Sequence, residues 1–344
     1  MKTILWSMDR EEIQEEVIMK AAQVITNGEL VAFPTETVYG LGANACDAEA
    51  VAKVFEAKGR PIDNPLIVHI ANKAMLEKLV IAVPAKAKRL IERFWPGALT
   101  IVLHKQEGVF PNAITAGLET VALRMPSHPI ALALIRAANV PIAAPSANRS
   151  GRPSPTLAQH VLEDLDGKIA GIIDGGRTEV GLESTVIDCT IDPPIILRQG
   201  GVTEEQIEAC IGSVATENVI DEQHQPRSPG MKYTHYAPKA TLHLIAGSPT
   251  FIQSKIDEAC ESGKKVGILT VVEREELYQA DVVVASGTET DLATVAGTMY
   301  DSLRKFDHTD VDIIFGETFP EAGLGNAIMN RLRKAAGNRM INEN

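Results

Sequence analysis

Residues 142–156 read IAAPSANRSGRPSPT, and this stretch decides the fold class. A short apolar strand over residues 140–144 hands directly to a loop of hydroxyl, amide, glycine and arginine residues. A handover of this kind belongs to the C-terminal edge of an α/β sheet, where ligands usually bind. Ser146, Asn148, Ser154 and the loop's backbone N–H groups suit phosphate or ribose. They equally suit an ordinary turn followed by a helix capped at Ser154 or Thr156.

Outward from this loop, strands and helices interleave. Asp9 with Glu12 resembles a capping box, and Ile13, Val17, Ala21 and Val24 recur at helical spacing up to Asn27–Gly28. A strand over 30–33 leads into PTETVYGLG. Asp47 opens a helix with Val51, Val54 and Phe55 on one face, ending at Lys58–Gly59. Residues 65–70 form a buried strand, and Pro84 takes the N1 position of a helix that stops before Pro96–Gly97. ALTIVLH and TVALRMP are strands, and 128–138 a helix. Further strands fall at 169–174, 184–188 and 195–197, and Thr203 with Gln206 caps another helix. The spacing predicts a mixed rather than purely parallel sheet.

Around residues 213–239 the periodicity lapses into polar sequence rich in Pro and His, the mark of a linker. Beyond it, strands and helices alternate. Strands are expected in ATLHLIAG, KKVGILTV, ADVVVASG and VDIIFGETF, and helices over 249–260, 292–306 and 326–336. That rhythm predicts a small Rossmann-like or flavodoxin-like domain. The chain therefore divides into 1–212, a linker over 213–239, and 240–344. Two domains also suit a length of 344 residues.

The formal net charge is −12, and residues 1–210 carry −6 of it. Neither half is a basic module built to grip a phosphate backbone. The four cysteines, Cys46, Cys189, Cys210 and Cys260, form no CxxC pair and are expected as reduced, buried thiols. No apolar run reaches the roughly 18 residues of a membrane span, and the N-terminus lacks a signal-peptide core. The cytoplasm is the simplest location.

Several segments carry candidate chemistry. In AKGRPIDNPLIVHI (57–70), Lys58 and Arg60 lie two apart on a turn and can converge on one anion. A solvated helix C-terminus favours the same cations. PTETVYGLG (34–42) puts two threonine hydroxyls and a tyrosine after a buried strand, with glycines that permit close backbone approach. GLESTVID (181–188) has a similar character. Arg124 and Arg198 each end an apolar strand and need a partner, either a substrate carboxylate or phosphate or a structural acid. No P-loop, GxSxG elbow, HExxH motif or metal-ligand spacing of histidines is present. A protein-bound catalytic metal is not expected, whereas Mg²⁺ carried in with a nucleotide is.

PTETVYGLG, AKGRPIDNPL, ALRMP, APSAN with SGRPSPT, GLESTV and LRQG, in that order, together resemble the YrdC/Sua5 family of threonylcarbamoyl-AMP synthases. The extra region after HYAP (235–238) resembles the longer, two-domain Sua5 branch, called YwlC in bacteria. The resemblance implies a YrdC-like twisted sheet around a concave cavity, followed by a Rossmann-like Sua5 domain. It implies a nucleotidyltransferase that joins L-threonine, bicarbonate or CO₂, and ATP into L-threonylcarbamoyl-AMP. That product supplies the threonylcarbamoyl group of a modified tRNA adenosine, which other proteins transfer.

The reaction needs positioning and charge neutralisation more than a nucleophilic side chain, in keeping with the missing triad. By the resemblance, Lys58, Arg60, Ser146 and Asn148 act on the phosphates. Asn64, Thr120, Ser154, Arg198 and Tyr236 also contact ATP or the adenylate. Thr37, His69, Arg124, Ser184 and the backbone at Ala144 hold threonine. Tyr236 falls in the linker, which is expected to close as a lid. Two rivals are a related carbamoyl-transfer domain, opposed by the missing acylphosphatase and zinc-binding regions, and a non-enzymatic RNA-binding module, opposed by the acidic charge. Direct tRNA binding is left open.

Overall fold

The computed structural model describes residues 2–216 and 235–343. Residues 217–234, most of the expected linker and lid, lie outside the described residues. The chain divides into two compact units. Within the described residues, the first holds 2–150, 155–179 and 183–216, and the second 151–154, 180–182 and 235–343.

The first unit carries eleven strands: β1 (Ile4–Ser7), β2 (Val31–Phe33), β3 (Gly40–Asn44), β4 (Ile67–His69), β5 (Leu99–His104), β6 (Thr120–Arg124), β7 (Ile142–Ala143), β8 (Gly171–Asp174), β9 (Thr185–Asp188), β10 (Ile195–Arg198) and β11 (Ala215–Thr216). They form one sheet in the order β1-β8-β2-β3-β7-β4-β6-β5-β9-β10-β11. The sheet is mixed. β2 runs antiparallel to β3 and parallel to β8, while β4 runs parallel to β6 and antiparallel to β7.

Its helices are α1 (Glu15–Thr26), α2 (Ala48–Lys58), α3 (Lys73–Leu79), α4 (Ala85–Phe94), α5 (Asn112–Thr115), α6 (Pro129–Ala138), α7 (Ala158–Leu165) and α8 (Glu204–Ile211). Ile18 and Ile25 of α1 share one apolar cluster with Ile130, Leu134 and Ile135 of α6 and with Phe33 and Ile142 of the sheet. A second cluster joins Val54 and Phe55 of α2, Leu90 of α4 and Val161 of α7 to Leu99 and Ile101.

Local signals explain most element ends. The Asp47 carboxylate accepts from the N–H groups of Glu49 and Ala50, and Gly59 closes α2 at φ 61°, a left-handed turn that glycine adopts without strain. Thr203 and Gln206 form the expected capping box of α8.

Other expectations fail. α1 starts at Glu15 behind an uncapped Gln14, and Asp9 instead accepts from the Glu11 N–H in a bend. The helix after residue 156 starts behind Leu157, so neither Ser154 nor Thr156 caps it. Pro84 is the cap residue of α4 rather than its first helical position. All four cysteines are free, but Cys46 and Cys260 are exposed.

The second unit holds β12 (Thr241–Ala246), α9 (Pro249–Glu261), β13 (Val266–Thr270), a 3₁₀ turn at Val272–Leu277, β14 (Val282–Ala285), α10 (Leu292–Phe306), β15 (Ile313–Glu317), α11 (Leu324–Ala335) and β16 (Met340–Asn342). All strand pairs are parallel, in the order β14-β13-β15-β12-β16. This is the expected Rossmann-like alternation, with β15 inserted between β12 and β13. Ile252 and Ile256 of α9 pack with Ile268 and Phe315.

The two outlying segments are tied in by specific contacts. Arg304 donates to the Pro153 carbonyl at 2.6 Å, and Arg152 pairs with Asp307 at 2.7 Å. A Cβ at Gly181 would stand 2.3 Å from the Ala296 carbonyl oxygen, so only glycine fits there.

Candidate functional site

The site begins at the C-terminus of α2. Lys58 is the helix's last residue and is only 3% exposed. Its ammonium donates to the carbonyl oxygens of Ser146 and, at 2.7 Å, Asn148. The Ser150 N–H donates back to the Lys58 carbonyl at 2.9 Å. Burial and the nearby charge of Arg60 push the Lys58 pKa down to about 7, with Asp164 opposing. Arg60 turns its guanidinium to the Asn64 carbonyl at 3.2 Å. The Asn64 side-chain oxygen is buried without a hydrogen-bond partner among the described residues.

Segment 34–42 then meets the chain at Pro145, Ala147 and Pro155. Tyr39 N–H donates to the Pro155 carbonyl at 2.8 Å, Ala147 N–H to the Tyr39 carbonyl at 2.8 Å, and Leu41 N–H to the Pro145 carbonyl at 2.7 Å. Gly40 permits this approach, since a Cβ there would lie 3.1 Å from that of Ala144. The Tyr39 hydroxyl donates to the Gly176 carbonyl at 2.7 Å and accepts from the Gly175 N–H at 3.2 Å. Burial, with Asp174 nearby, holds that phenol far above its ordinary pKa, so it stays protonated.

At the other end of segment 34–42 stands Arg124, the last residue of β6 and 4% exposed. Its Nη1 donates to the Thr37 hydroxyl at 2.9 Å and its Nε to the Gly97 carbonyl at 3.2 Å. Nη2 lies 2.7 Å from the carboxylate of Glu36, itself buried. His69 of β4 is the strand partner of Arg124. Burial and the Arg124 charge lower the His69 pKa to about 3, so the ring is neutral at physiological pH, and its Nδ1 has no hydrogen-bond partner among the described residues. Ala144 is fixed by its N–H donating to the Ile67 carbonyl at 3.0 Å.

Ser184 and Arg198 form a further pair. Arg198 Nε and Nη2 both donate to the Ser184 carbonyl, at 3.1 and 2.9 Å, and the Ser184 hydroxyl bonds Thr100 at 2.7 Å. In the order β6-β5-β9-β10, Ser184, just before β9, lies two strands from Arg124 and Arg198 of β10 three.

The fold thus brings together Lys58, Ser146, Asn148, Thr37 and Arg124 through one pair of adjacent segments, with His69 and Ala144 beside them. Thr120 stands apart, opening β6 at the end opposite Arg124, about 13 Å along the strand. Ser154 and Tyr236 belong to the second unit. There Tyr236, at φ 66°, stacks on Tyr300 with ring centroids 5.2 Å apart, and Arg331 lies 5.6 Å over its ring. Sequence reasoning missed Glu36, Thr100 and the anchoring role of Tyr39. The signal for Glu36 was a lone acid inside a segment flanked by apolar strands.

Two family models match the chain, one described as "Telomere recombination" over residues 23–200 and one as "Threonylcarbamoyl-AMP synthase, C-terminal domain" over 202–337. The chain belongs to the Sua5 family. A threonylcarbamoyl-AMP synthase of Bacillus subtilis is 55% identical, covering 99% of this chain and 100% of its own. A synthase of Pyrococcus abyssi is 52% identical over 96% of this chain and 97% of its own. A crystal structure of Pyrococcus abyssi Sua5 complexed with L-threonine matches with TM-score 0.94 and 50% identity, covering 99% of this chain and 100% of that one. This Sua5-family chain is therefore an enzyme with the YrdC-like and Sua5 units in the family's order. No helix among its described residues is long and apolar enough to cross a membrane.

Proposed function

We propose that the chain is a nucleotidyltransferase that makes L-threonylcarbamoyl-AMP from L-threonine, bicarbonate or CO₂, and ATP. The observation that carries this reading is the pair of buried cations, Lys58 bonded to the carbonyls of Ser146 and Asn148 and Arg124 bonded to Thr37. One suits phosphate and the other a carboxylate.

The threonine ammonium gives up one proton, and the resulting amine attacks CO₂ and gives up a second, leaving a carbamate. A carbamate oxygen then displaces pyrophosphate from the α-phosphorus of ATP. Lys58 and Arg60 neutralise the phosphates, and Ser146, Asn148 and Asn64 orient them. Thr120 and Arg198 serve the nucleotide as well. Arg124 holds the threonine carboxylate, and Thr37, His69, Ser184 and the Ala144 backbone complete that end. No side chain is required as a nucleophile, so the work is positioning and charge neutralisation.

Mg²⁺ enters as part of the nucleotide substrate. Phosphate and water oxygens would ligate it, as Mg²⁺ favours. The reaction takes place in the cytoplasm. The product passes to proteins that modify tRNA.

Pyrophosphate release from ATP tests the reading. It should require both L-threonine and bicarbonate, and release indifferent to threonine would refute it.

A further inference from the structure

We propose that Glu36 and Arg124 form one receptor for a zwitterion, in which Glu36 takes the substrate's α-ammonium while Arg124 takes its α-carboxylate. This rests on threonine being the substrate and extends that reading to a residue with no role assigned so far.

The geometry of the pair points away from a merely structural acid. Arg124 spends Nη1 and Nε on Thr37 and on the Gly97 carbonyl, so its fork is not offered to Glu36. Only Nη2 approaches Glu36, at 2.7 Å, and its angle falls short of a hydrogen bond. Both carboxylate oxygens of Glu36 are buried and lack a hydrogen-bond donor among the described residues, and Arg124 Nη2 is buried there without a well-aligned acceptor.

A carboxylate offers about four acceptor sites, and leaving them empty in the interior is costly. The neighbouring hydroxyls do not fill them. Thr35 bonds the Thr37 hydroxyl at 2.8 Å and the Val38 carbonyl at 2.7 Å. His128 is close enough to feel the Glu36 charge, but burial keeps its pKa below the ordinary value.

What is left is an anion with open acceptor sites, touching a cation with an open donor. An α-amino acid presents the complementary pair, three N–H donors beside two carboxylate oxygens on one carbon. Set against Glu36 and Arg124, it makes an alternating quartet in which every buried charge gains an opposite neighbour. Glu36 therefore selects for an amino acid over a hydroxy acid.

Calorimetry with L-threonine and with 3-hydroxybutyrate, which is threonine without its amine, tests this. The wild type should bind threonine at least about 100-fold tighter, because a site built for a donor rejects a ligand lacking it. Glu36→Gln should weaken threonine at least about 10-fold and leave 3-hydroxybutyrate and ATP within about twofold. Equal weakening of threonine and 3-hydroxybutyrate would overturn the proposal, since Glu36 would then act only by placing Arg124. A wild type that does not distinguish the two ligands would overturn it without any variant, which decides the matter if Glu36→Gln does not fold. A wild type that binds no threonine at all overturns the substrate reading and this one with it.

Discussion

The ammonium of Lys58 lies 2.7 Å from the carbonyl oxygen of Asn148, a residue 90 positions further along the chain. This bond fastens the end of a capped helix to the loop after β7. It also leaves Lys58, the residue proposed to meet phosphate, as a buried charge held by carbonyl acceptors.

That arrangement has a pH signature. With its pKa near 7, Lys58 in the free protein loses its proton as pH rises past neutrality. ATP needs the cation, so binding must restore the proton. ATP affinity should fall about tenfold per pH unit above 7, and Lys58→Arg should remove that fall. Calorimetry from pH 6 to about 9 reads it. The stability effect has the opposite sign. Between about 7 and 10.5 the unfolded chain holds more protons at this site, so its contribution to stability rises with pH.

Arg124→Met removes the cation that faces Glu36. Breaking a buried pair on one side costs about 3–5 kcal/mol, and removing both charges costs far less. Arg124→Met should therefore be more destabilised than Arg124→Met combined with Glu36→Gln. Trp6 and Trp95 both lie in the first unit, so fluorescence-detected denaturation reports on this unit selectively.

Ser184→Ala leaves Thr100 without its 2.7 Å partner and takes one acceptor from Arg198. The expected loss is about 1–3 kcal/mol in stability. Threonine affinity should fall with it, and calorimetry at a temperature where the variant is folded separates the two effects.

Tyr39→Phe deletes the hydroxyl that joins segment 34–42 to residues 175 and 176. It should cost about 1–3 kcal/mol by leaving buried backbone groups unpaired. It should also lower kcat, because the segment carrying Thr37 loses an anchor. A variant with wild-type melting and wild-type kcat would contradict the anchoring role.

The sequence by itself determined the local structure and the family. Asp47 and Gly59 bound α2, and Thr203 with Gln206 starts α8, because caps act within a turn of the residues they satisfy. Motif order carried the assignment to the Sua5 family and the residue types at the site. Cap signals misled where a rival partner lay close by, as at Asp9, whose carboxylate is satisfied two residues on in a bend.

Only the tertiary structure decided which motifs meet. Placing β3 beside β7 and β4 beside β6 is a choice among long-range strand pairings, and no short-range signal encodes it. The same choice set Glu36 against Arg124 and Lys58 against Asn148. Each is a buried charge whose partner lies far away in sequence, so its chemistry appears only once the interior has closed around it.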